Sequence, residues 1–331
     1  MFAVGLDISA DFFTASCVDQ NFKTLFNQNF HQNVSGWDTF LQYLAEQGIY
    51  AENCQICMES TGVYSEKISY FLYNQGFQVF VEPPSKIKRA FYDEEKDDPI
   101  DARQISEYLF RFPDKLHRWQ PKSEIVYQVE ALLTTREQLI RLQTACKNSI
   151  KSLHRKHHRQ GELMDVFIDL SDDLHLRIIT IEKEMEDLIH TNPELWQKTQ
   201  NIIKITNVGK LLCYNLIVIT DGYTQMRKYT SLARYLGIAP LKHSSGTSVK
   251  RRRRSDGAGP TRMRKLIYLA AMRLRRNHPD FQKYYERKKA EGKDGRLILN
   301  NIANKLLKLI CGVLKSGKPY IEDYKSLPPN F

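Results

Sequence analysis

Apolar and polar positions change their period along the chain, and the change divides it. From Phe2 to Pro84 the apolar runs are short and separated by turn residues, the pattern of strands mixed with brief helices. Phe2 to Ile8 reads as a buried strand. Asp11 to Cys17 and Thr24 to Phe30, rich in Phe, Val and Thr, read as two more in a meander around Asn21. Ser35 is placed to cap a helix carrying Trp37, Phe40, Leu41 and Leu44 that ends by Gly48. Cys54 to Met58 is a further buried strand. Ser60-Thr61-Gly62 then turns into a helix with Val63, Ile68, Phe71 and Leu72, which stops at Gly76. Phe77 to Val81 is a strand closed by Pro83-Pro84, and the basic segment Lys86 to Arg89 follows. The next helix opens at Asp98, whose carboxylate can accept from first-turn N–H groups, with Pro99 at the first helical position. The predicted order is β-β-β-α-β-α-β-α.

Beyond residue 120 the period lengthens to that of long helices. Steps of four and three from Ile125 meet Val129, Leu132, Arg136, Leu139, Gln143, Cys146, Ile150 and Leu153, a seam broken only by Arg136 and Gln143. The polar stretch Lys156 to Gly161 ends it, and Leu174, Ile178, Ile181, Met185 and Leu188 repeat the spacing. Two seams joined by a polar tip predict an antiparallel helical pair or a dimerisation arm. His154, His157 and His158 belong to that tip and read as solvated rather than metal-binding. Ile202 to Gly209 followed by Lys210 to Ile219 resembles a helix-hairpin-helix, whose Asn207-Val208-Gly209 turn would offer N–H groups to phosphates. An ordinary helical packing unit has the same pattern. Ser231 to Leu236 is helical up to Gly237, Thr261 opens an amphipathic helix from Met263 to Arg276, and Arg296 to Leu314 is a last apolar helix. The predicted class is α/β plus all-α, divided at 1–120, 121–195 and 196–331.

Composition narrows the class. A hydrophobic content of 42% supports true cores. No run of eighteen apolar residues occurs, so no transmembrane helix is expected. The chain starts as a strand with no basic leader, so no signal peptide is expected. Six cysteines are scattered, and Cys54-x-x-Cys57 has no second pair to complete a zinc site. Cys54 and Cys57 are read as strand residues, and the setting as a reducing cytoplasm. The net charge of +11 is uneven. Leu241 to Phe331 holds 23 Lys and Arg against 7 Asp and Glu, whereas the rest holds 26 against 31. A basic back behind an acidic front points to a polyanion held by the back, although an acidic protein partner would produce the same balance.

The candidate chemistry lies in both parts. Asp7 and Glu59 fall at the C-terminal ends of strands, the edge where open α/β sheets bind ligands. Asp98 and Asp101 are three apart on one helical turn, about 5–6 Å between Cβ atoms, and repel unless something positive lies between them. A divalent cation is the natural candidate. Four such acids on one edge are the arrangement of an RNase H-like nuclease, in which carboxylates hold two Mg2+ ions. A capped surface helix with a solvated acidic start would also place Asp98 and Asp101 so, and Asp11, Asp93 and Asp97 compete for places in the set. In the basic part, Ser245 precedes Gly246 in a loop that runs into Lys250, Arg251, Arg252, Arg253 and Arg254. Such a serine can attack a phosphodiester held by the cations, or the loop can simply grip the backbone. Arg262, Arg264 and Lys265 continue the basic surface on the next helix.

These segments, in this order, resemble the DEDD transposases of the insertion-sequence 110 family, with its 1111 subgroup and the Piv-type DNA invertases. Gly5-Leu6-Asp7-Ile8-Ser9 is similar to the family's first strand, and Glu59-Ser60-Thr61-Gly62-Val63-Tyr64 to its E-x-T-G-x-Y. Asp97-Asp98-Pro99-Ile100-Asp101-Ala102 is similar to T-D-x-x-D-A, with Asp97 replacing Thr. Thr206 to Gly209, Leu236 to Pro240 with Ser245-Gly246, and Leu314 to Pro319 match later segments, so the resemblance runs from about residue 2 to 320. It implies a RuvC-like (RNase H-like) N-terminal domain, a helical coiled-coil middle and a helical C-terminal transposase domain with a helix-hairpin-helix-like segment. It implies that Asp7, Glu59, Asp98 and Asp101 are Mg2+ ligands and that Ser245 becomes covalently linked to DNA. It further implies donor and target DNA as substrates, a structured guide RNA encoded by the element, and a homodimer or homotetramer in which the acids of one subunit meet the serine of another. A membrane role is not expected, and the setting is a bacterial cytoplasm, at the nucleoid. Ala10 stands where the family often has Lys, and Ser244 beside Ser245 leaves the serine to be chosen by the following glycine. Two other readings use the same residues: a RuvC-like metal-dependent nuclease with water as nucleophile, and a non-catalytic nucleic-acid-binding protein.

Overall fold

A computed structural model of the chain describes residues 1–91, 98–157, 161–225, 229–239, 244–245, 249–250 and 259–321; for 98–101, 244–245 and 249–250 it describes the backbone. These residues divide into two units, Met1–Pro121 and Lys122–Phe331.

In the first unit the alternating runs form one five-stranded sheet: β1 (Phe2–Ile8), β2 (Phe12–Val18), β3 (Thr24–His31), β4 (Cys54–Glu59) and β5 (Gln78–Glu82). The strand order is β3-β2-β1-β4-β5. β1, β2 and β3 are antiparallel neighbours, whereas β4 and β5 run parallel to β1. The β2–β3 turn is held by Asp19, whose Oδ1 accepts from the N–H groups of Asn21 and Lys23, both at 2.9 Å. Phe22, not Asn21, takes the left-handed conformation there, with φ of 61°.

Strand periodicity sends side chains to two faces, and each face has its own core. Val4, Leu6, Phe13, Ile56 and Val79 pack with Trp37, Phe40 and Leu44 of α1 (Val34–Glu46) and with Ile68 and Leu72 of α2 (Val63–Asn74). Ala3, Cys57 and Phe80 pack on the opposite face with Ile105, Tyr108 and Leu109 of α4 (Asp98–Arg111). Cys54 and Cys57 therefore belong to opposite faces of one strand. All six cysteines are unpaired, burial pushes the Cys17 thiol up to about 12 and those of Cys54 and Cys57 strongly upward, and Cys54 and Cys57 are residues of strand β4, as the sequence reading has them.

Two local expectations are corrected here. Asn33, not Ser35, caps α1, its Oδ1 accepting from the Gly36 N–H at 2.8 Å. Pro83-Pro84 does more than close a strand: Pro84 opens the short helix α3 (Pro84–Lys88) inside what reads as a basic linker.

Among its described residues the second unit is helical apart from one hairpin. α5 (Glu124–His154) and α6 (Gly161–His190) form an antiparallel pair, the first of the two expected arrangements. The two polar interruptions of the α5 seam bond across it. Arg136 Nε donates to Glu182 Oε1 at 2.6 Å, and Gln143 Nε2 donates to the Ser171 carbonyl at 3.1 Å. The pair shares one core with α7 (Pro193–Ile203), α8 (Lys210–Ile219), α9 (Tyr229–Tyr235), α10 (Thr261–Asn277), α11 (Pro279–Ala290) and α12 (Gly295–Ser316). α11 was not legible, because half of its residues are charged and only Tyr285 is buried. Contrary to expectation, α12 has the length and hydropathy of a membrane span by composition alone. Its Ile298, Ile302, Leu306, Leu307 and Ile310 are fully buried in the core.

Candidate active site

The acids of the first unit gather at one end of the sheet. β1 and β4 are in register with Leu6 beside Met58, which brings Asp7 level with Glu59. Glu59 in turn pairs with Glu82 on β5. Two residues before them, Gly5, Cys57 and Phe80 lie under α4, so by alternation Asp7, Glu59 and Glu82 share the α4 face. α4 runs antiparallel to β1. Ser106 Oγ donates to the Ala3 carbonyl at 3.2 Å, and the Ala102 carbonyl lies directly over Gly5. Four helical residues rise about 6 Å and two strand residues about 6.6 Å. One further step back therefore carries the start of α4, Asp98, to the level of Asp7. The side chains of Asp98 and Asp101 lie outside the described residues, as do Asp93 and Asp97.

The close approach of α4 has a simple cause. A Cβ on Gly5 would stand 2.2 Å from the Ala102 carbonyl oxygen and 2.3 Å from the Ser106 nitrogen. Small residues at 102 and 106, one turn apart, sit over Gly5 and Ala3. Among the described residues no three of His, Cys, Asp and Glu group closely enough to share a cation. The local donors fit a hard divalent ion: carboxylates on one face, with the Thr61 hydroxyl just past Glu59 buried and without a hydrogen-bond partner. Gly62, with φ of 68°, turns the chain from Glu59 into α2.

Glu82 and Lys86 escaped the sequence reading. Glu82 is 3% exposed, and Lys86 Nζ donates to its Oε2 at 2.7 Å and to the Lys115 carbonyl at 2.7 Å. The signal was available: Glu82 is the last strand residue, two beyond the inward Phe80 and just before Pro83. Lys86 neutralises a buried carboxylate beside Glu59. Because the Lys86 side chain is a third exposed, Lys86→Met should destabilise the unit by about 1–3 kcal/mol, below the usual cost of breaking a buried pair. The double variant Glu82→Gln/Lys86→Met should recover most of that loss. Urea melts of the three chains check this.

In the second unit, Ser244–Ser245 (β6) pairs antiparallel with Val249–Lys250 (β7), Ser245 opposite Val249 and Ser244 opposite Lys250. Ser245 thus ends a strand immediately before the Gly246-Thr247-Ser248 connection. Side chains of Ser245 and Lys250, and the whole of Arg251, Arg252, Arg253 and Arg254, lie outside the described residues. Both ends of the loop are anchored. The Ile238 carbonyl accepts from Asn300 Nδ2 and Asn304 Nδ2, each at 3.0 Å. Gly259, with φ of 95°, presses so close to the Tyr235 carbonyl that a Cβ would lie 1.9 Å from its oxygen.

The three cations of α10 differ. Arg262 Nη1 donates to the Leu133 carbonyl at 3.0 Å and pairs with Glu137 at 3.2 Å, bracing α10 on α5. Burial lowers the Arg262 pKa, partly offset by Glu137. Arg264 donates to the Gly259 carbonyl at 2.9 Å, securing the loop end. Lys265 is exposed. A turn joins α7 and α8, with Asn207 left-handed at φ of 64°, a geometry common to both readings of this segment.

Residues 4–158 match a family model of IS110-type DEDD transposases, described as a transposase, and residues 199–286 match the model of the transposase IS116/IS110/IS902 family. Pilin gene-inverting proteins of Moraxella lacunata and Moraxella bovis are each 25% identical over 326 residues, 96% of this chain and 97% of the relative. An uncharacterized 43.6 kDa protein of insertion element IS110 from Streptomyces coelicolor is 30% identical over 105 residues, 32% of this chain and 25% of that protein.

Proposed function

Because the chain belongs to the IS110 family of transposases and is therefore a DNA transposase or recombinase, we propose that it cuts and rejoins DNA through Ser245, with Asp7, Glu59, Asp98 and Asp101 as Mg2+ ligands. The observation that carries the acid half is the sheet edge: Asp7 and Glu59 level on adjacent strands, under the start of the helix that contributes Asp98 and Asp101. An antiparallel three-strand meander continued by two parallel strands, with α4 across it, supports the RNase H-like reading of 1–120. Residues 121–195 are assigned as the coiled-coil arm and 196–331 as the serine-containing domain.

In this scheme the Ser245 oxygen bonds to phosphorus as the phosphorus–deoxyribose bond breaks. The serine loses its proton and the departing deoxyribose oxygen gains one. Rejoining reverses these changes with a deoxyribose hydroxyl from another end, so the number of phosphodiester bonds is conserved. Bound Mg2+ would polarise the phosphoryl group and stabilise the developing charge. Lys250 and Arg251 to Arg254 hold the phosphate, with Lys265 extending the grip. The strongly basic C-terminal part also suits a structured guide RNA. Exposed Leu163, Val166 and Leu170 on the distal half of α6 suit self-association as a homodimer or homotetramer.

The near full-length likeness to pilin gene-inverting proteins favours site-specific inversion as a second reading of the same chemistry. The test is trapping. Wild-type chain, incubated with DNA bearing the ends of its own element, should yield a protein–DNA adduct stable to denaturation, dependent on Mg2+ and lost in EDTA. The adducted peptide should map to Ser245. Nicked DNA without any adduct would establish water as the nucleophile and refute the serine.

A further inference from the structure

The second unit holds a groove that the serine chemistry does not use. It lies between α10 and α11, reaches Asn207 of the hairpin turn, and has a volume of about 1010 Å3, at the top of the ~300–1,000 Å3 range of ligand pockets. Its charged wall is Arg273, Arg275, Arg276 and Lys289, against the single acid Glu286. Among the described residues no ion pair engages Arg273, Arg276 or Lys289, whereas nearby Arg262, Lys210 and Lys288 are all paired with glutamates. The Arg275 guanidinium carbon lies over the Tyr285 ring, 3.7 Å from its centroid, a cation–π contact that orders the side chain. Leu269 and Met272 are 46% and 50% exposed on the face of α10 turned away from the core. They are one turn apart, and each has an arginine four residues on, Arg273 and Arg276. The Asn207 side-chain NH2 is buried at the groove and has no hydrogen-bond partner.

We propose that this groove binds an unpaired nucleic-acid strand, with phosphates on Arg273, Arg276 and Lys289 and a base face on Leu269 and Met272. Charge complementarity selects a polyanion. The apolar pair selects a strand over a duplex: duplex bases are stacked inside and offer the groove only phosphate and sugar, whereas an unpaired strand offers phosphates and bare base faces together. Arg275 on Tyr285 supplies a flat cation of the kind on which bases stack. The inference rests on the reading of this chain as a nucleic-acid recombinase, and adds a seat for melted DNA or for an RNA partner.

The test is binding by the full chain in EDTA, so that strand cutting plays no part. Fluorescent twelve-residue DNA and RNA strands of one sequence, and the matching DNA duplex, are titrated over a range of salt. Arg273→Ala/Arg276→Ala/Lys289→Ala should weaken single-strand binding at least tenfold and flatten the log–log salt dependence by about 2, near 0.7 per lost phosphate contact. Leu269→Ala/Met272→Ala should weaken single-strand binding about fivefold or more, leave the salt slope unchanged and leave duplex binding within about twofold. Arg273→Lys/Arg276→Lys should keep the slope. A larger loss for the DNA or the RNA strand identifies which source the groove favours. Single-strand affinity unchanged in the apolar pair, or an unchanged slope in the triple variant, overturns the proposal; unchanged affinity throughout would fit an acidic protein segment instead. Failure of the Ser245 adduct would refute the serine chemistry without touching this result.

Discussion

Asp7→Asn should leave the substrate strand uncut, lowering strand cleavage about 10³-fold or more, because the metal's share of transition-state stabilisation is several kcal/mol. The substitution keeps size and removes one charge from the level shared by Glu59 and Glu82. DNA binding should persist, since the basic residues lie in the other part of the chain. Mg2+ should raise the melting temperature of the wild type and not of Asp7→Asn, because a ligand that binds only the folded state stabilises it. Ser245→Ala should eliminate the adduct, with a loss of about 10⁴-fold or more if the hydroxyl is the nucleophile. The pair of variants separates the two halves of the chemistry. Continued nicking by Ser245→Ala, with none by Asp7→Asn, would leave a metal-dependent nuclease using water. Continued cleavage by Asp7→Asn would remove the carboxylate edge from the mechanism altogether.

Gly5→Ala should strongly destabilise the first unit. The new carbon would meet backbone atoms of α4 at 2.2 and 2.3 Å, and no side chain can move aside to make room. Overpacking in a core usually costs about 1–3 kcal/mol. Here the whole helix must shift, so about 3 kcal/mol or more is expected, or a fall of roughly 10 °C in the melting of that unit. The shift would also lift Asp98 and Asp101 away from the sheet edge, so cleavage should fall together with stability. Gly312→Ala is the control: it lies within α12, an added methyl there would meet nothing within 4 Å, and it should be neutral or slightly stabilising. A Gly5→Ala chain that melts and cuts as the wild type does would refute the close helix–sheet contact.

The two glycines differ in what a sequence can say of them. Gly62 announces a turn, because it follows a strand and precedes a helical run. Gly5 sits inside a strand and announces only a weak position; its need comes from Ala102 and Ser106, nearly a hundred residues away. The same holds for charge. Arg262 and Lys265 looked alike on a basic helix face, yet one is committed to Glu137 and the Leu133 carbonyl while the other is exposed. Arg136 and Gln143 looked like faults in a seam and prove to be cross-seam hydrogen bonds.

Sequence alone determined the kinds and order of most elements, the strand placement of Cys54 and Cys57, the antiparallel pair as one of two choices, and membership in the transposase family through motifs in a fixed order. Each of these depends on residues within a turn or two of one another, or on order along the chain, and both are written locally. Tertiary structure decided which acids share a face and a level, that Glu82 stands among them with Lys86 as its counter-ion, and that α10 and α11 leave a cationic groove. Strand register and helix crossing are settled by packing between distant segments. A period of 2 or 3.6 reports that a side chain turns inward, but not what it will meet there.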